Sequence, residues 1–279
     1  MIATPTQAFE VLSNAAPAAL TTHADDQKVS DRYCFVPSTS LVHAAYGSGL
    51  VLNRATQINP TRGEKRGESA FSTHELEFIR PQDVSSFNAG VTPRVTIING
   101  HAANTSVKIF AGIYRAICSN GLVIGAQEGF EQTRVRHVGN IDINELAEQI
   151  QGQTERAVQG VDISAKWSEI ELTGDRLEQV TKKLVAAGAK ARWGSWKDVP
   201  QAEQRCARDF TQPVRYGDNE NNIWSVYNRA QESFITGVRR RRSITGHWNR
   251  KIRPVNDLHL KSKVNQALWT AAEEAYLAG

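Results

Sequence analysis

The sequence predicts an α+β fold, in which an N-terminal antiparallel β-sheet with hairpins precedes a helical C-terminal half. Up to about residue 140 apolar and polar side chains alternate, as they do in strands, whereas after Asn140 apolar residues recur at helical spacing. All six tryptophans also lie in the second half, where large rings would fill a helical core. Strands followed by helices is the order typical of an α+β domain.

The chain divides into three predicted segments. Residues 1–30 are rich in Ala, Thr, Ser and Asp with little periodicity, so we expect a flexible N-terminal arm. Residues 31–140 form the predicted antiparallel β-rich core. Residues 141–279 form the helical portion, which we expect to continue the core as one domain.

Individual elements of the core follow from alternation and turn residues. A short strand over 32–37 ends at Pro37, and Ser38 opens a helix through Ala45. The alternation of Glu75 and Glu77 with apolar residues predicts a half-exposed strand. Asn120-Gly121 between apolar runs predicts a hairpin with a type I′ turn. The strand with Glu75 and Glu77 spans 71–80, and two further strands are predicted over 49–58 and 92–99.

Helices of the second half are predicted from spacing and capping residues. Asp142 with Glu145 resembles a capping box at the start of the first helix. Leu177, Val180 and Leu184 repeat at helical spacing in a helix that ends near Gly188. Further helices are predicted over 201–210, 222–234 and 258–277.

The densest positive charge lies in a basic segment, residues 229–263, with ten Lys or Arg residues against two acids. Its net charge is +8 in a chain whose total is +4. The four adjacent arginines Arg239–Arg242 repel one another, and a bound polyanion would neutralise them. Two other interpretations stay open: a solvated loop, and a cluster paired with acids elsewhere in an oligomer.

Candidate DNA-binding residues come first from this segment, with Trp248 as a stacking partner: Arg239, Arg240, Arg241, Arg242, Trp248, Arg250, Lys251 and Arg253. A weaker basic set combines a predicted loop with one strand face: Arg62, Lys65, Arg66, Arg134 and Arg136. Arg115 falls on the apolar side of its strand, where it is either paired with a carboxylate or a ligand contact.

Patterns typical of enzymes are absent from the sequence. There is no Walker-type phosphate loop, dinucleotide-binding glycine motif, C-x-x-C, H-E-x-x-H or G-x-S-x-G. The seven histidines are dispersed, and a lone histidine is more often structural than catalytic. Asp218 and Glu220 offer oxygen ligands for a divalent ion, but the pattern is weak. We therefore expect no enzyme, no catalytic residues, no metal site and no cofactor.

The cellular location is predicted from apolar runs and cysteines. No run approaches the roughly 18–20 apolar residues of a membrane span, and the first twenty residues lack the features of a secretory signal. The three cysteines are odd in number and far apart, which favours reduced thiols. We expect a cytoplasmic protein with no membrane partner.

The chain resembles the phage/plasmid-like protein family of unknown function over roughly residues 32–275. The matching motifs are Asn99-Gly100-His101, the 112–123 stretch with its Arg-x-x-Cys-Ser-Asn-Gly-Leu-Val element, 136–139, and 222–228 with the arginine-rich segment after it. The resemblance implies a mobile-element protein with a nucleic-acid role, of the single-strand annealing type that RecT-like and eukaryotic annealing recombinases represent. Such proteins form rings or filaments and hydrolyse no nucleotide.

These observations together predict a single-stranded DNA-binding protein that promotes ATP-independent annealing for a phage or plasmid. Its partners are single-stranded DNA and further copies of itself, in a ring or filament. Annealing breaks no covalent bond, which agrees with the missing catalytic motifs. Two alternatives remain: an interaction or anti-defence protein that binds a host factor, and a metal-dependent nuclease that uses Asp218, Glu220 and the dispersed histidines.

Overall fold

A computed structural model describes residues 5–57, 70–84, 91–103, 105–115, 118–123, 133–194, 210–213, 218–237, 253–255 and 257–278. The chain divides into two compact units. Unit 1 comprises Met1–Tyr114 and Phe130–Gln159, and unit 2 comprises Arg115–Gly129 and Gly160–Gly279.

A β-sheet forms the centre of unit 1. The strands run in the order β1-β2-β3-β4, and β6 pairs with β4. The β1–β2, β2–β3 and β4–β6 pairs are antiparallel, so the predicted antiparallel sheet before a helical half is confirmed. The described strands are β1 (Val51–Gln57), β2 (His74–Ile79), β3 (Val91–Asn99), β4 (Val107–Arg115), β5 (Cys118–Val123) and β6 (Thr133–Val135).

The central strands β2 and β3 are buried on both faces. Every residue of β3 is buried, and so are His74 to Phe78 of β2. The strand over Glu75 and Glu77 is therefore confirmed, but its predicted half exposure is wrong. Oε2 of Glu77 lies 3.1 Å from Nη1 of Arg94 on β3, and both side chains are at most 3% exposed. A buried ion pair thus occupies the face expected to meet water.

Helices α1 (Pro5–Ala15) and α2 (Ser38–Gly47) contribute to the core of unit 1. The expected flexible arm over residues 1–30 is wrong for residues 5–20, because α1 is followed by a 3-10 turn, Pro17–Leu20, and Leu12 is fully buried. The stripe that α1 and the turn bury consists mostly of alanines, which give a weak periodic signal: Ala8, Leu12, Ala16 and Ala19. A one-turn helix, α3 (Pro81–Val84), follows β2.

Two local predictions fail for reasons of tertiary structure. In place of a strand over 32–37, only Tyr33 forms a bridge, to Val138. Asn120-Gly121 lies inside β5, which spans Cys118–Val123. The turn preference of Asn-Gly is local, and the extended strand overrides it here.

Helices dominate the rest of the chain, with α4 (Ile143–Ser168) supplying residues to both units. Helices over 222–234 and 258–277 are confirmed, whereas the one predicted over 201–210 lies outside the described residues except for Phe210. The other helices of unit 2 are α5 (Gly174–Trp193), α6 (Ile223–Ile235) and α7 (Leu258–Leu277).

Aromatic rings fill the described core of unit 2. Trp167 and Trp269 are fully buried with ring centroids 4.5 Å apart, and the ring of Tyr227 lies 5.9 and 5.8 Å from theirs. Helix α5 continues past Gly188, where a Cβ atom would lie 2.6 Å from the Phe234 ring on α6. Glycine is therefore retained for close helix packing. Among the described helices, none has the length and hydropathy of a membrane span.

Candidate nucleic-acid interface

A surface cavity of about 270 Å³ lies in unit 1 beside strand β6. We name it the Tyr33 pocket. Two arginines line it, together with three hydroxyl side chains and a buried imidazole, and none of the described lining residues is acidic. The lining residues are Tyr33, Ala103, Thr105, Ser106, Arg134, Arg136, His137 and Val138.

Arg134 and Arg136 provide the positive charge of the pocket. They alternate with half-buried neighbours along an extended segment, so both side chains leave the same face and both are exposed. Nε of Arg134 donates a hydrogen bond to Oγ of Ser106 at 3.0 Å, which orients that guanidinium. Among the described carboxylates, none forms an ion pair with either arginine. Both charges are thus available to an anionic ligand.

A second groove of about 590 Å³, the α4 groove, continues from the same two arginines toward helix α4. Arg134, Arg136 and Val138 line both cavities. The far side of the groove has mixed charge, because Arg156 lies there with Asp142 and Glu145. An anion is therefore favoured most at the Tyr33 pocket, where no described acid intervenes.

Asn99, at the end of β3, is the centre of a buried polar network near the pocket. Its Nδ2 donates hydrogen bonds to the Val36 carbonyl at 3.0 Å and to Oγ of Ser38 at 2.8 Å. The backbone N–H of Gly100 donates to its Oδ1 at 2.8 Å. These three bonds fix the orientation of the amide and connect the end of β3 to the start of α2.

Two buried histidines extend the network from Ser38. Nδ1 of His74 donates to the Ser72 carbonyl at 3.0 Å, so Nε2 of His74 accepts from the Ser38 hydroxyl, 2.6 Å away. Nε2 of His101 lies 3.5 Å from the same hydroxyl. Burial lowers the pKa of His74 to about 4 and that of His101 to about 3. Both rings are therefore neutral near pH 7.

A serine hydroxyl hydrogen-bonded to an imidazole is also the arrangement of a nucleophile with its general base. Here Ser38, His74 and His101 are fully buried. A substrate therefore has no route to the hydroxyl in this conformation. The described arrangement favours a structural role, in which the network holds the ends of β2 and β3 against helix α2.

His137 connects the network to the pocket. Its Nδ1 donates to the Cys34 carbonyl at 3.0 Å, and its Nε2 lies 3.0 Å from Oδ1 of Asn99, also an acceptor. Both contacts can be hydrogen bonds at the same time only when both ring nitrogens carry a proton. Burial lowers the pKa of His137 and so disfavours this protonated form. The ring of Tyr33 stacks on His137, with centroids 4.9 Å apart and planes 10° apart.

The candidate residues of the predicted DNA-binding set differ in what the structure describes. Arg134 and Arg136 meet in the Tyr33 pocket. Arg253 is exposed in unit 2. Arg115 is the last residue of β4, and its side chain is not among those that the structure describes. The remaining candidates lie outside the described residues: Arg62, Lys65, Arg66, Arg239, Arg240, Arg241, Arg242, Trp248, Arg250 and Lys251.

The described residues on either side of the arginine run lie next to each other in unit 2. The backbone N–H of Val255 donates to the Ile235 carbonyl at 2.8 Å. The guanidinium of Arg192 donates to the carbonyls of Phe234 and Arg253. Ile235 and Val255 are therefore neighbours in unit 2, although they lie on opposite sides of the arginine run in the sequence.

Arg229 belongs to the basic segment but adds no charge to the described surface. It is 5% exposed, and its guanidinium donates to the carbonyls of Asp218 and Glu220. Burial lowers its pKa. Asp218 is itself only 2% exposed, so the acids of the nuclease alternative belong to a loop that Arg229 holds. Among the described residues no three His, Cys, Asp or Glu side chains form a metal site.

The sequence interpretation misses the histidine network because the residues are far apart in the chain. The antiparallel register of β2 and β3 places His74 opposite Asn99. Polar residues at the start of one strand and the end of the next were the available signal, since such positions are neighbours in an antiparallel pair. His137 had no comparable signal.

Comparison with known proteins identifies relatives of similar length. The chain is 28% identical over 250 residues to UPF0380 protein YfjQ of Escherichia coli (strain K12), which covers 88% of this chain and 82% of the relative. UPF0380 protein YafZ of the same organism gives the same identity and coverage. No solved structure matches the chain.

A family model described as "Domain of unknown function (DUF932)" matches residues 27–269. The match includes the Tyr33 pocket, its buried network and the basic segment. The resemblance to a family of unknown function is confirmed at that level. Because the model matches most of the chain, this protein belongs to the DUF932 family.

Proposed function

We propose that this protein binds single-stranded DNA and promotes ATP-independent annealing of complementary strands, as a homo-oligomer that serves a phage or plasmid. The observation that supports this proposal most is the pair Arg134 and Arg136, two exposed guanidiniums without a described carboxylate partner. They lie beside an aromatic ring in a pocket without described acids. Such a combination suits a phosphate next to a base.

Contacts of this kind act on the backbone and carry no sequence information. Arg134 is oriented by Ser106, which reduces the entropy lost when a phosphate binds. An annealing protein must accept any strand, so contacts of this type suit it. Annealing needs no nucleotide hydrolysis, because base pairing itself supplies the free energy.

The basic segment supplies a second expected set of phosphate contacts, at Arg239–Arg242. Without the buried Arg229 the segment remains strongly positive. Each subunit of this size contacts few nucleotides, so a ring or filament would raise affinity by presenting many sites to one strand. Mass photometry with and without a long single strand tests this part of the proposal. A protein that stays monomeric in both conditions would contradict it.

The binding test compares two arginine variants that remove the same type of charge. The double variant Arg134→Ala/Arg136→Ala should weaken binding of a labelled single strand at least 10-fold, equally for different sequences. The slope of log K against log salt should fall by about 1.4, because each phosphate contact on a single strand contributes about 0.7. Fluorescence anisotropy over a range of salt concentrations measures both quantities.

The matched control is Arg54→Ala, which removes an exposed arginine from β1, three strands away from β4 in the sheet. It should change affinity by less than about 3-fold. Equal effects of the control and of the pocket variants would show that only net charge matters. Unchanged binding in the pocket variants would remove the Tyr33 pocket from the interface.

The annealing step is tested with complementary labelled oligonucleotides, without ATP or metal. Wild-type protein should accelerate duplex formation, and the quadruple variant Arg239→Ala to Arg242→Ala should lose most of that acceleration. Strand cleavage that requires magnesium would instead favour the nuclease alternative. Failure to bind any DNA, together with capture of one host protein, would favour the interaction alternative.

A further inference from the structure

We infer that the Tyr33 pocket holds one unpaired base of single-stranded nucleic acid, stacked on the Tyr33 ring, with the two neighbouring phosphates on Arg134 and Arg136. This inference rests on the proposed function and adds to it a specific ligand class, an unstacked nucleotide. It also explains how the protein would distinguish single strands from duplex, in which bases are not free to enter a side pocket.

The Tyr33 ring has the geometry of a fixed platform. One face stacks on His137, which is 4% exposed and contacts Cys34 and Asn99. The Tyr33 hydroxyl donates to the Gly100 carbonyl at 3.2 Å. The ring is half buried and lines the cavity, and the base is proposed to stack on the face opposite His137. Because the His137 stack and the hydroxyl hydrogen bond both fix the ring, it loses little conformational entropy when a base stacks on it.

The size and charge of the pocket suit one nucleotide. Its volume of about 270 Å³ is close to the lower limit of small-molecule sites, about 300–1,000 Å³. The hydroxyls of Thr105 and Ser106 offer hydrogen bonds to a base edge or a sugar. Burial raises the pKa of Tyr33 to about 12, so the phenol stays neutral and does not repel a phosphate.

The backbone beside the pocket is strained. Ala103, which lines the cavity, has φ of +54°, in the left-handed region that residues with a side chain rarely adopt. Strain of this kind is concentrated at ligand sites, where the surrounding structure maintains an unfavourable conformation. This observation is independent of the charges and the aromatic stack, and it indicates the same cavity.

The first experiment uses wild-type protein and two oligonucleotides with identical backbones. One carries thymine at every position, and the other carries abasic tetrahydrofuran residues. Stacking on an aromatic side chain changes affinity by about 5- to 150-fold per base, so the abasic strand should bind at least 5-fold more weakly at the same salt slope. Equal affinities would overturn the inference.

The second experiment changes the platform. Tyr33→Leu should bind the thymine strand about as weakly as wild type binds the abasic strand, with an unchanged salt slope. Tyr33→Phe keeps the ring and should bind within about 3-fold of wild type. If Tyr33→Leu discriminates between the thymine and abasic strands as strongly as wild type does, the inference is overturned. If the Leu variant fails to fold, the comparison of the two oligonucleotides on wild-type protein decides the question.

The outcomes for the two proposals are separable. If Arg134→Ala/Arg136→Ala lowers the salt slope while abasic and thymine strands bind equally, the proposed DNA binding is supported and the base pocket is wrong. If wild-type protein binds neither strand, both proposals are wrong.

Discussion

The two units differ in what they bury. Unit 1 encloses an ion pair between Glu77 and Arg94 and a hydrogen-bonded network around Asn99. Unit 2 encloses packed aromatic rings, with Trp167 and Trp269 at the centre of its described core. Aromatic packing stabilises a fold without directing any particular chemistry. A buried polar network is costly unless every partner is present, so its occurrence beside the Tyr33 pocket indicates a structure built to fix surface residues.

The largest expected effect comes from breaking the buried ion pair. Glu77→Ala leaves the Arg94 guanidinium buried without its carboxylate and should lower the free energy of unfolding by about 3–5 kcal/mol. Replacing both residues by apolar ones of similar volume, as in Glu77→Leu/Arg94→Met, should restore most of that loss. Urea unfolding followed by hydrogen exchange of peptides from β2 and β3 measures both variants. If the free energy of unfolding of Glu77→Ala lies within 1 kcal/mol of wild type, the ion pair contributes little to stability.

The second expected effect is a loss of stability at acid pH. The folded-state pKa values of His74 and His101, about 4 and about 3, lie below the unfolded value of 6.5. Between pH 6.5 and about 4 the unfolded state therefore binds more protons, and stability falls as the pH falls. At pH 5 the two residues together should account for about 2–4 kcal/mol.

The measurement compares urea midpoints at pH 7.5 and pH 5 for three proteins. His74→Gln/His101→Gln should be less stable at pH 7.5 but should depend less on pH than wild type. His43→Gln, which removes an exposed histidine, serves as the matched control. All six tryptophans belong to unit 2, so tryptophan fluorescence reports the unfolding of unit 2. Hydrogen exchange of peptides from unit 1 reports the unfolding of unit 1. A wild-type midpoint that is the same at both pH values would contradict the prediction.

The smallest expected effect tests helix packing in unit 2 against a matched position in unit 1. Gly188→Ala places a Cβ atom 2.6 Å from the Phe234 ring and should destabilise the protein by about 1–3 kcal/mol. Gly152→Ala, in helix α4, meets nothing within 4 Å and should stabilise by about 0.5–1 kcal/mol through helix propensity. Thermal unfolding compares the two. Equal effects would show that the close contact at Gly188 carries no cost.

Much of the fold could be predicted where local and tertiary preferences agree. The helix over 258–277 coincides with α7, whose first turn is capped by Asp257 and whose apolar residues repeat regularly. The strands over 71–80 and 92–99 are also confirmed. The prediction for Asn120-Gly121 fails because a two-residue turn preference is weak compared with the pairing of a whole strand.

The candidate site could be predicted only in part. Charge is visible in sequence, so Arg134 and Arg136 could be proposed as a basic set. The network of His74, Asn99 and His137 could not, because its members come from separate segments. The register of β2 and β3 places His74 opposite Asn99, whereas His137 meets Asn99 only through the tertiary fold. Burial also escapes prediction from charge alone, since Arg229 resembles its neighbours in sequence yet lies inside unit 2.

The hydrogen bond between Val255 and Ile235 has a consequence for protein engineering. Because Ile235 and Val255 are hydrogen-bonded to each other, designed sequences of different length can be used to join these two positions. A linker of a few glycines can span so short a gap, and a shorter loop costs less closure entropy. Grafting other sequences between these anchors would vary the polycation while retaining the scaffold formed by α6 and α7.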